Sequence, residues 1–322
     1  MKKTVVLSFL FILFTILDSP KISSWGFYGH KKINNMAVFT LPPAMIGFYK
    51  KHIDFITEHA VDADSRRSID EQEAPRHFID IDRYGDHPFD SIPMLWEKAV
   101  VKYSEDSLKA HGIVPWHIQV MLGRLTFAFK ENNINKILRY SADIGHYVAD
   151  AHVPLHTTKN YNGQLTNQKG IHGFWESRIP ELKGNEYDYF VGRAKYIDKS
   201  QYTAWQIVRA SFAAKDSVLN FEASLNSRFD SDKKYSYETR GAKNVKVYSI
   251  EYANEYDRML NGMVERRMRE AILMVGSYWY TAWVNAGQPD LDKLVEIDTF
   301  DTTPLDTIYP PKQALQGKGH EE

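Results

Sequence analysis

Apolar residues recur at helical spacing through most of the chain. The segment 114–130 is amphipathic and has Pro115 near its start. A second segment begins at Asn133 and carries apolar residues through Ile144 and Val148. The same spacing occurs in segments 30–39, 43–55, 104–110, 171–179, 202–225 and 252–284. Because the sequence contains no clear series of strands, no internal repeat and no glycine-rich phosphate loop, the pattern predicts a single, mostly helical domain of the all-α class.

Prolines and polar stretches predict where these helices end. Pro154 should stop or bend the helix that begins at Asn133, and Pro180 should end the segment 171–179. Between them lies a polar loop over 157–170. The charged, irregular segment 228–248 predicts a short hairpin.

Two pairs of residues with metal-binding side chains stand at helical spacing in the middle of the chain. His146 and Asp150 are four residues apart, and so are His172 and Glu176, with His156 between the pairs. One such pair is usually a solvated ion pair. The segment around His146 is otherwise apolar, however, and buried ionisable groups are costly unless they are paired or bind a metal. Imidazole and carboxylate groups without thiolates suit zinc, and also iron or manganese.

Further candidates precede this stretch. His30 follows Trp25, whose amine would be a ligand if Trp25 were the first mature residue, although the tryptophan could equally pack a loose terminus. Asp64 lies in a charged turn, where Asp62 could replace it on spacing alone. His77 lies beside an apolar pair, where a buried core histidine is the ordinary outcome.

Composition adds a prediction about location. Lys2 and Lys3 precede the apolar run 4–17, which has the length of a signal peptide, and cleavage after Ser24 would leave Trp25 first. We therefore expect a signal peptide over 1–24, a soluble domain over 25–298, and a Pro-, Lys- and Gly-rich tail over 299–322 whose composition is typical of disorder.

The mature protein should be secreted or periplasmic, without a transmembrane span. It contains no cysteine, so its core and metals must stabilise the fold. Loss of residues 1–24 removes three lysines and one aspartate, which changes the formal net charge from -1 to -3 and argues against a broad basic surface for nucleic acid.

The order of these candidates resembles the zinc-dependent phospholipase C and single-strand nuclease (S-one/P-one type) superfamily, from Trp25 to about Glu176. The resemblance implies an all-helical domain with three zinc ions at the base of a cleft. It assigns one zinc to Asp64, His77, His146 and Asp150. It assigns a second to His156, His172 and Glu176. It assigns a third to the Trp25 amine and carbonyl, to His30, and to Asp150 as a bridge. It also makes Asp64 the candidate base for a metal-activated water that attacks phosphorus.

The two branches of the superfamily are harder to separate. The spacing of Trp25 and His30 resembles the nucleases, in which the positions of Phe78 and Asp80 stack on and hydrogen-bond to a base. Glu176, the compact loop before His172 and the absence of cysteine resemble the bacterial phospholipases. The choline-pocket positions of the studied phospholipases are not matched, because this chain has Tyr28, Ser65 and Ala74 there.

The sequence therefore predicts a phospholipase C-like phosphodiesterase that acts on phospholipid. The alternative is a single-strand-specific endonuclease and 3′-nucleotidase that acts on nucleic acid. A non-catalytic, zinc-stabilised binding protein and a di-iron oxidase stay open, although Glu-x-x-His pairs are not present as a matched set. Asp143 or Asp80 is expected to orient the imidazoles. No oligomer is implied.

Overall fold

The computed structural model describes residues 26–241 and 243–294. The predicted signal segment 1–24, Trp25 and the tail 299–322 lie outside the described residues, so these predictions remain predictions. Within the described part of the chain, no helix is long and apolar enough to cross a bilayer.

The prediction of an all-α fold is confirmed. The helices are α1 (Gly26–Ala37), α2 (Pro43–Lys51), α3 (Ile53–Glu58), α4 (Asp62–Arg66), α5 (Pro88–Ser91), α6 (Trp96–Tyr103), α7 (Glu105–Ala110), α8 (Val114–Lys130), α9 (Ile134–Ala151), α10 (Ile171–Gly173), α11 (Ile179–Lys183), α12 (Ser200–Asn226), α13 (Ile250–Leu260) and α14 (Met263–Asn285). The predicted hairpin is also present, with β1 (Tyr235–Arg240) antiparallel to β2 (Lys243–Tyr248) and Tyr235 opposite Tyr248.

Helix α9 is the centre of the core. Asn133 caps its first turn by accepting a hydrogen bond from the Lys136 amide at 3.0 Å. Nearly every residue of α9 is buried, because α8, α14 and α1 all pack against it. On the α14 side, the Trp279 indole donates to the Ser141 carbonyl at 2.9 Å. A helix buried on all sides is an unusual place for His146 and Asp150, which are ionisable.

Three boundaries differ from the predictions. The segment 252–284 is two helices, because Asn261 (φ 49°) and Gly262 (φ 72°) adopt the left-handed conformation that ends a helix. The segment 43–55 also divides, at His52, and extends to Glu58. Pro180 lies in the first turn of α11 instead of ending a helix, and a π-helical turn, Phe174–Arg178, precedes it. Proline is tolerated there because the first turn leaves amides unpaired in any case.

The polar loop 157–170 is anchored at both ends. Near its start, the Asp82 carboxylate accepts hydrogen bonds from the Thr158 hydroxyl at 2.7 Å and the Lys159 amide at 3.0 Å. Near its end, the Gln168 side chain donates to Glu222 of α12 at 2.7 Å. These contacts fix the loop between His156 and His172.

Candidate metal centre

Asp150 lies at the middle of the first group of metal-binding side chains. It is fully buried, and its Oδ2 atom lies 3.2 Å from His146 Nε2, one helical turn earlier on α9. The same oxygen lies 2.9 Å from His77 Nδ1, and Oδ1 lies 3.3 Å from His30 Nε2. One carboxylate therefore faces three imidazoles that come from distant parts of the sequence.

Asp64 completes this group from the short helix α4. Its Oδ1 atom lies 3.7 Å from His146 Nε2 and 3.8 Å from His77 Nδ1, and its side chain is 6% exposed. His77, Asp150 and His146 have ligand atoms close enough to share one cation, and so do His30, Asp64 and His146.

His30 reaches the group because α1 packs closely on α9. Its ring stacks on that of His146, with ring centroids 3.8 Å apart. Gly145 permits this approach, since a Cβ atom there would overlap the side-chain amide of Asn34 on α1. The Asn34 amide in turn donates to the Ala142 carbonyl at 3.1 Å.

A second group contains His156, His172 and Glu176. Glu176 Oε2 lies 3.0 Å from His172 Nε2 and 3.5 Å from His156 Nε2, and the two imidazole nitrogens are 3.1 Å apart. Glu176 is on the π-helical turn that follows α10, so the predicted spacing of four places both side chains on one face. The groups adjoin, because His156 Nδ1 donates to the His77 carbonyl at 2.7 Å.

The outer ring nitrogens of three histidines donate to main-chain carbonyls. His146 Nδ1 bonds to the Ala60 carbonyl at 2.8 Å, and His172 Nδ1 bonds to that of Tyr161 at 3.2 Å. Like the bond from His156, these contacts place a proton on Nδ1 and leave the Nε2 lone pair directed at the acids. Metal-binding histidines usually have such an arrangement.

In the absence of metal, the acids of the cluster favour protonated histidines, and the histidines favour ionised acids. Burial would lower the pKa of His146, but Asp150 and Asp64 raise it to about 9. Burial would also lower the pKa of His156, but Asp150 and Glu176 raise it to about 9. Burial would raise the pKa of Glu176, yet His172 and His156 lower it to about 2. His146 holds the pKa of Asp150 well below its usual range despite its burial.

The residues fit divalent cations. Several buried polar atoms of the site have no hydrogen-bond partner among the described residues. They are both carboxylate oxygens of Asp64 and of Glu176 and both ring nitrogens of His30. Buried polar atoms are normally satisfied, and a bound cation would satisfy these. Nitrogen and oxygen ligands without sulfur suit zinc, and also iron or manganese. Three groups of His, Asp and Glu in the described residues, two of which share His146, have ligand atoms close enough together to hold a metal ion.

The two predicted substrate-binding residues are both buried. Phe78 is 3% exposed and Asp80 5% exposed. The Phe78 carbonyl accepts a hydrogen bond from the Val114 amide at 3.1 Å, and the Asp80 amide donates to the His111 carbonyl at 2.7 Å. Their main chains are thus bonded to residues at or just before the start of α8. Burial raises the pKa of Asp80 to about 7, with a smaller contribution from Asp82.

The expectation that Asp143 orients an imidazole is not met, because its carboxylate pairs with Arg66 at 3.0 Å. Asp80 lies 3.9 Å from Arg83. The residue that sequence reasoning missed is Glu73, whose Oε1 atom lies 3.4 Å from His77 Nε2. Its spacing of four from His77 was the available signal, but the two residues do not lie on a regular helix.

Trp25 lies outside the described residues. Its neighbour Gly26 has φ 47°, and a Cβ atom there would lie 2.8 Å from the Ser177 hydroxyl. Ser177 directly follows Glu176, so the first described residue lies beside the second group of ligands.

Comparison with known proteins found limited likeness. No family model matches the chain, and no curated protein matches it. Among solved structures, the alpha toxin from Clostridium absonum overlaps 85% of this chain, with 11% sequence identity and a TM-score of 0.46. The alpha-toxin of Clostridium perfringens, isolated from an avian strain, overlaps 84% of it with the same identity and TM-score. The matched chain spans 66% of the length of each toxin.

Proposed function

We propose that this protein is a zinc-dependent phosphodiester hydrolase of the phospholipase C type. The observation that carries the proposal is the position of Asp150, fully buried and shared by His30, His77 and His146. The second group of candidate ligands, which contains Glu176, adjoins the group around Asp150. A buried constellation that can hold several divalent ions suits substrates whose own negative charge repels a nucleophile.

Each side chain has a definite role in this proposal. His77, His146, Asp64 and Asp150 would hold one zinc, and His156, His172 and Glu176 a second. His30 and Asp150 would contribute to a third, together with Trp25. Zinc bound there would neutralise part of the phosphodiester charge and lower the pKa of water. Asp64 is our candidate for the proton acceptor, because neither of its oxygens has a hydrogen-bond partner in the described part of the chain.

Two considerations support a phospholipid as the substrate. The resemblance in the sequence favours the phospholipases at Glu176 and in the compact loop before His172. The burial of Phe78 leaves little of its ring for a nucleobase to stack on. The nuclease alternative keeps its support from the spacing of Trp25 and His30.

We further propose that the protein is exported and that cleavage after residue 24 frees the Trp25 amine as a ligand. The close approach of Gly26 to Ser177 supports this proposal, because it brings the start of the described chain next to Glu176. A protein that keeps an N-terminal extension should bind less zinc than the processed form. Equal zinc content and activity in the two forms would contradict this role.

The experiment that tests the function is a substrate panel for the purified, zinc-loaded mature protein. It compares phospholipid vesicles of several head groups, single-stranded DNA, RNA and 3′-nucleotides, with Asp150→Asn as the matched inactive variant. We expect release of diacylglycerol and a phosphorylated head group. Cleavage of nucleic acid alone would support the nuclease instead, and zinc binding without turnover of any substrate would support a binding protein.

A further inference from the structure

Glu73 is a buried carboxylate behind the metal centre. Its side chain has no solvent exposure, and its Oε1 atom accepts a hydrogen bond from the Tyr147 hydroxyl. Its Oε2 atom lies 2.6 Å from Arg76 Nη1 and 3.4 Å from Arg66 Nε. Two guanidinium groups beside Oε2 favour the ionised carboxylate.

His77 is oriented differently from the other histidines of the centre. His146, His156 and His172 direct Nε2 toward the acids and donate Nδ1–H to main-chain carbonyls. His77 instead directs Nδ1 inward, 2.9 Å from Asp150 Oδ2 and 3.0 Å from His146 Nε2. Its Nε2 atom points outward and lies 3.4 Å from Glu73 Oε1.

This orientation requires the opposite tautomer. For Nδ1 to present a lone pair to a cation, the proton of neutral His77 must be on Nε2. A carboxylate beside Nε2 favours a proton there and makes the ring a better ligand. The Tyr147 ring restricts the same imidazole from the side, with centroids 5.4 Å apart at an angle of 71°.

We propose that Glu73 is a positioning residue of the metal centre, which holds the Nε2 side of His77 so that Nδ1 can bind the cation shared with Asp150. The inference rests on the proposed metal centre and extends it beyond the ligands. The competing explanation is that Glu73 only balances the charges of Arg66 and Arg76.

Asp143 provides the matched control. It is a second buried carboxylate that pairs with Arg66, at 3.0 Å, and it is 2% exposed. No ion pair in the described residues joins it to His77. Asp143→Asn therefore removes one charge from the arginine cluster without removing the partner of a metal-binding imidazole.

The experiment measures zinc affinity by competition with a chelator in the full mature chain. We expect Glu73→Gln to weaken zinc binding by about 10–100-fold, the usual effect of removing an outer partner of a metal-binding histidine. Asp143→Asn should leave the affinity unchanged. Equal losses in both variants, or no loss in Glu73→Gln, would overturn the inference.

A second measurement uses the wild-type protein and therefore does not require that a variant folds. Nitrogen NMR of the imidazoles in the zinc-loaded wild type should show His77 protonated at Nε2, whereas His146 should be protonated at Nδ1. A proton on Nδ1 of His77 would overturn the inference. A wild-type protein that binds no zinc would overturn the proposed function as well, whereas zinc binding that is insensitive to Glu73→Gln would overturn only the role of Glu73.

Discussion

At the scale of single residues, the site depends on side chains that share partners. Asp150 faces three imidazoles, and His146 faces two carboxylates and another imidazole. The spacing of four on α9 was sufficient to predict the pairing of His146 with Asp150. It was not sufficient to predict Glu73, because this residue meets His77 through an irregular turn whose path the sequence does not specify.

Replacing Asp150 should be far more harmful than replacing Asp143. Asp150→Asn removes a negative charge from the contacts with His30, His77 and His146, so we expect loss of bound zinc. Activity should fall by more than the roughly 10–100-fold that is usual when an outer partner of a metal ligand is lost. Asp143→Asn changes only an ion pair with Arg66 and should keep its zinc. Zinc content and phosphodiesterase rates of both purified variants provide the measurement, and equal losses would refute the assignment.

The metal-free protein should lose stability as the pH rises from 6.5 to 9. The folded pKa values of His146 and His156 are about 9, above the ordinary value of 6.5. Protonation of these groups therefore stabilises the folded state fully below pH 6.5, and this contribution is lost as the pH passes through 9. Thermal melts of chelator-treated protein across this range should show a falling Tm. A Tm that rises from pH 6.5 to 9 would contradict this electrostatic description.

At the scale of elements, the site depends on how closely helices approach one another. Helical spacing predicted α8 and the start of α9 well, because both have long apolar faces and clear first-turn residues. It missed the break at Asn261 and Gly262, because apolar residues continue across it, although an Asn-Gly pair is a typical signal for the end of a helix. The close approach of α1 to α9 could not be predicted either, because the need for glycine at position 145 follows from its contact with Asn34, which is distant in the sequence.

Gly145→Ala should separate α1 from α9. The added methyl group would overlap the Asn34 amide, so we expect a loss of about 1–3 kcal/mol in the free energy of unfolding, as in other overpacked interiors. His30 should move away from Asp150, and the affinity for the zinc assigned to His30 should fall. Urea unfolding and zinc titration provide the measurements.

Gly123→Ala is the matched control for this substitution. Gly123 is an exposed position of α8 where an added Cβ meets no atom within 4 Å, so alanine should stabilise the helix by about 0.5–1 kcal/mol. If Gly145→Ala were also stabilising and left zinc binding intact, close approach of the two helices would not be a requirement of the site.

At the scale of the whole molecule, the centre joins segments that are far apart in the sequence. At least one candidate ligand comes from each of five segments, which are α1, α4, the turn before Phe78, α9 and the π-helical turn. The chain contains no cysteine, so disulfides do not stabilise it. The convergence of these segments was expected from the resemblance, but the distances between ligands depend on packing that no local pattern encodes.

Removal of metal should destabilise the entire fold. Without cations, the buried carboxylates of Asp64 and Glu176 are opposed by imidazoles and no longer by a divalent charge, and burial of incompletely balanced carboxylates is costly. Ligands that bind only the folded state also raise its stability by mass action. Calorimetry should show a lower Tm after chelation and recovery on addition of zinc. An unchanged Tm would indicate that the cluster is a structural ion-pair network.

The most direct test of the central claim is elemental analysis of the purified mature protein, after it has been supplied with zinc and freed of loosely bound ions. We predict about three zinc ions per chain, the number of sites in the proposed function, with a reduced number in Asp150→Asn and loss of one ion in Glu176→Ala. A protein that retains no zinc, that retains iron instead, or whose zinc content is unchanged in either variant would contradict the account.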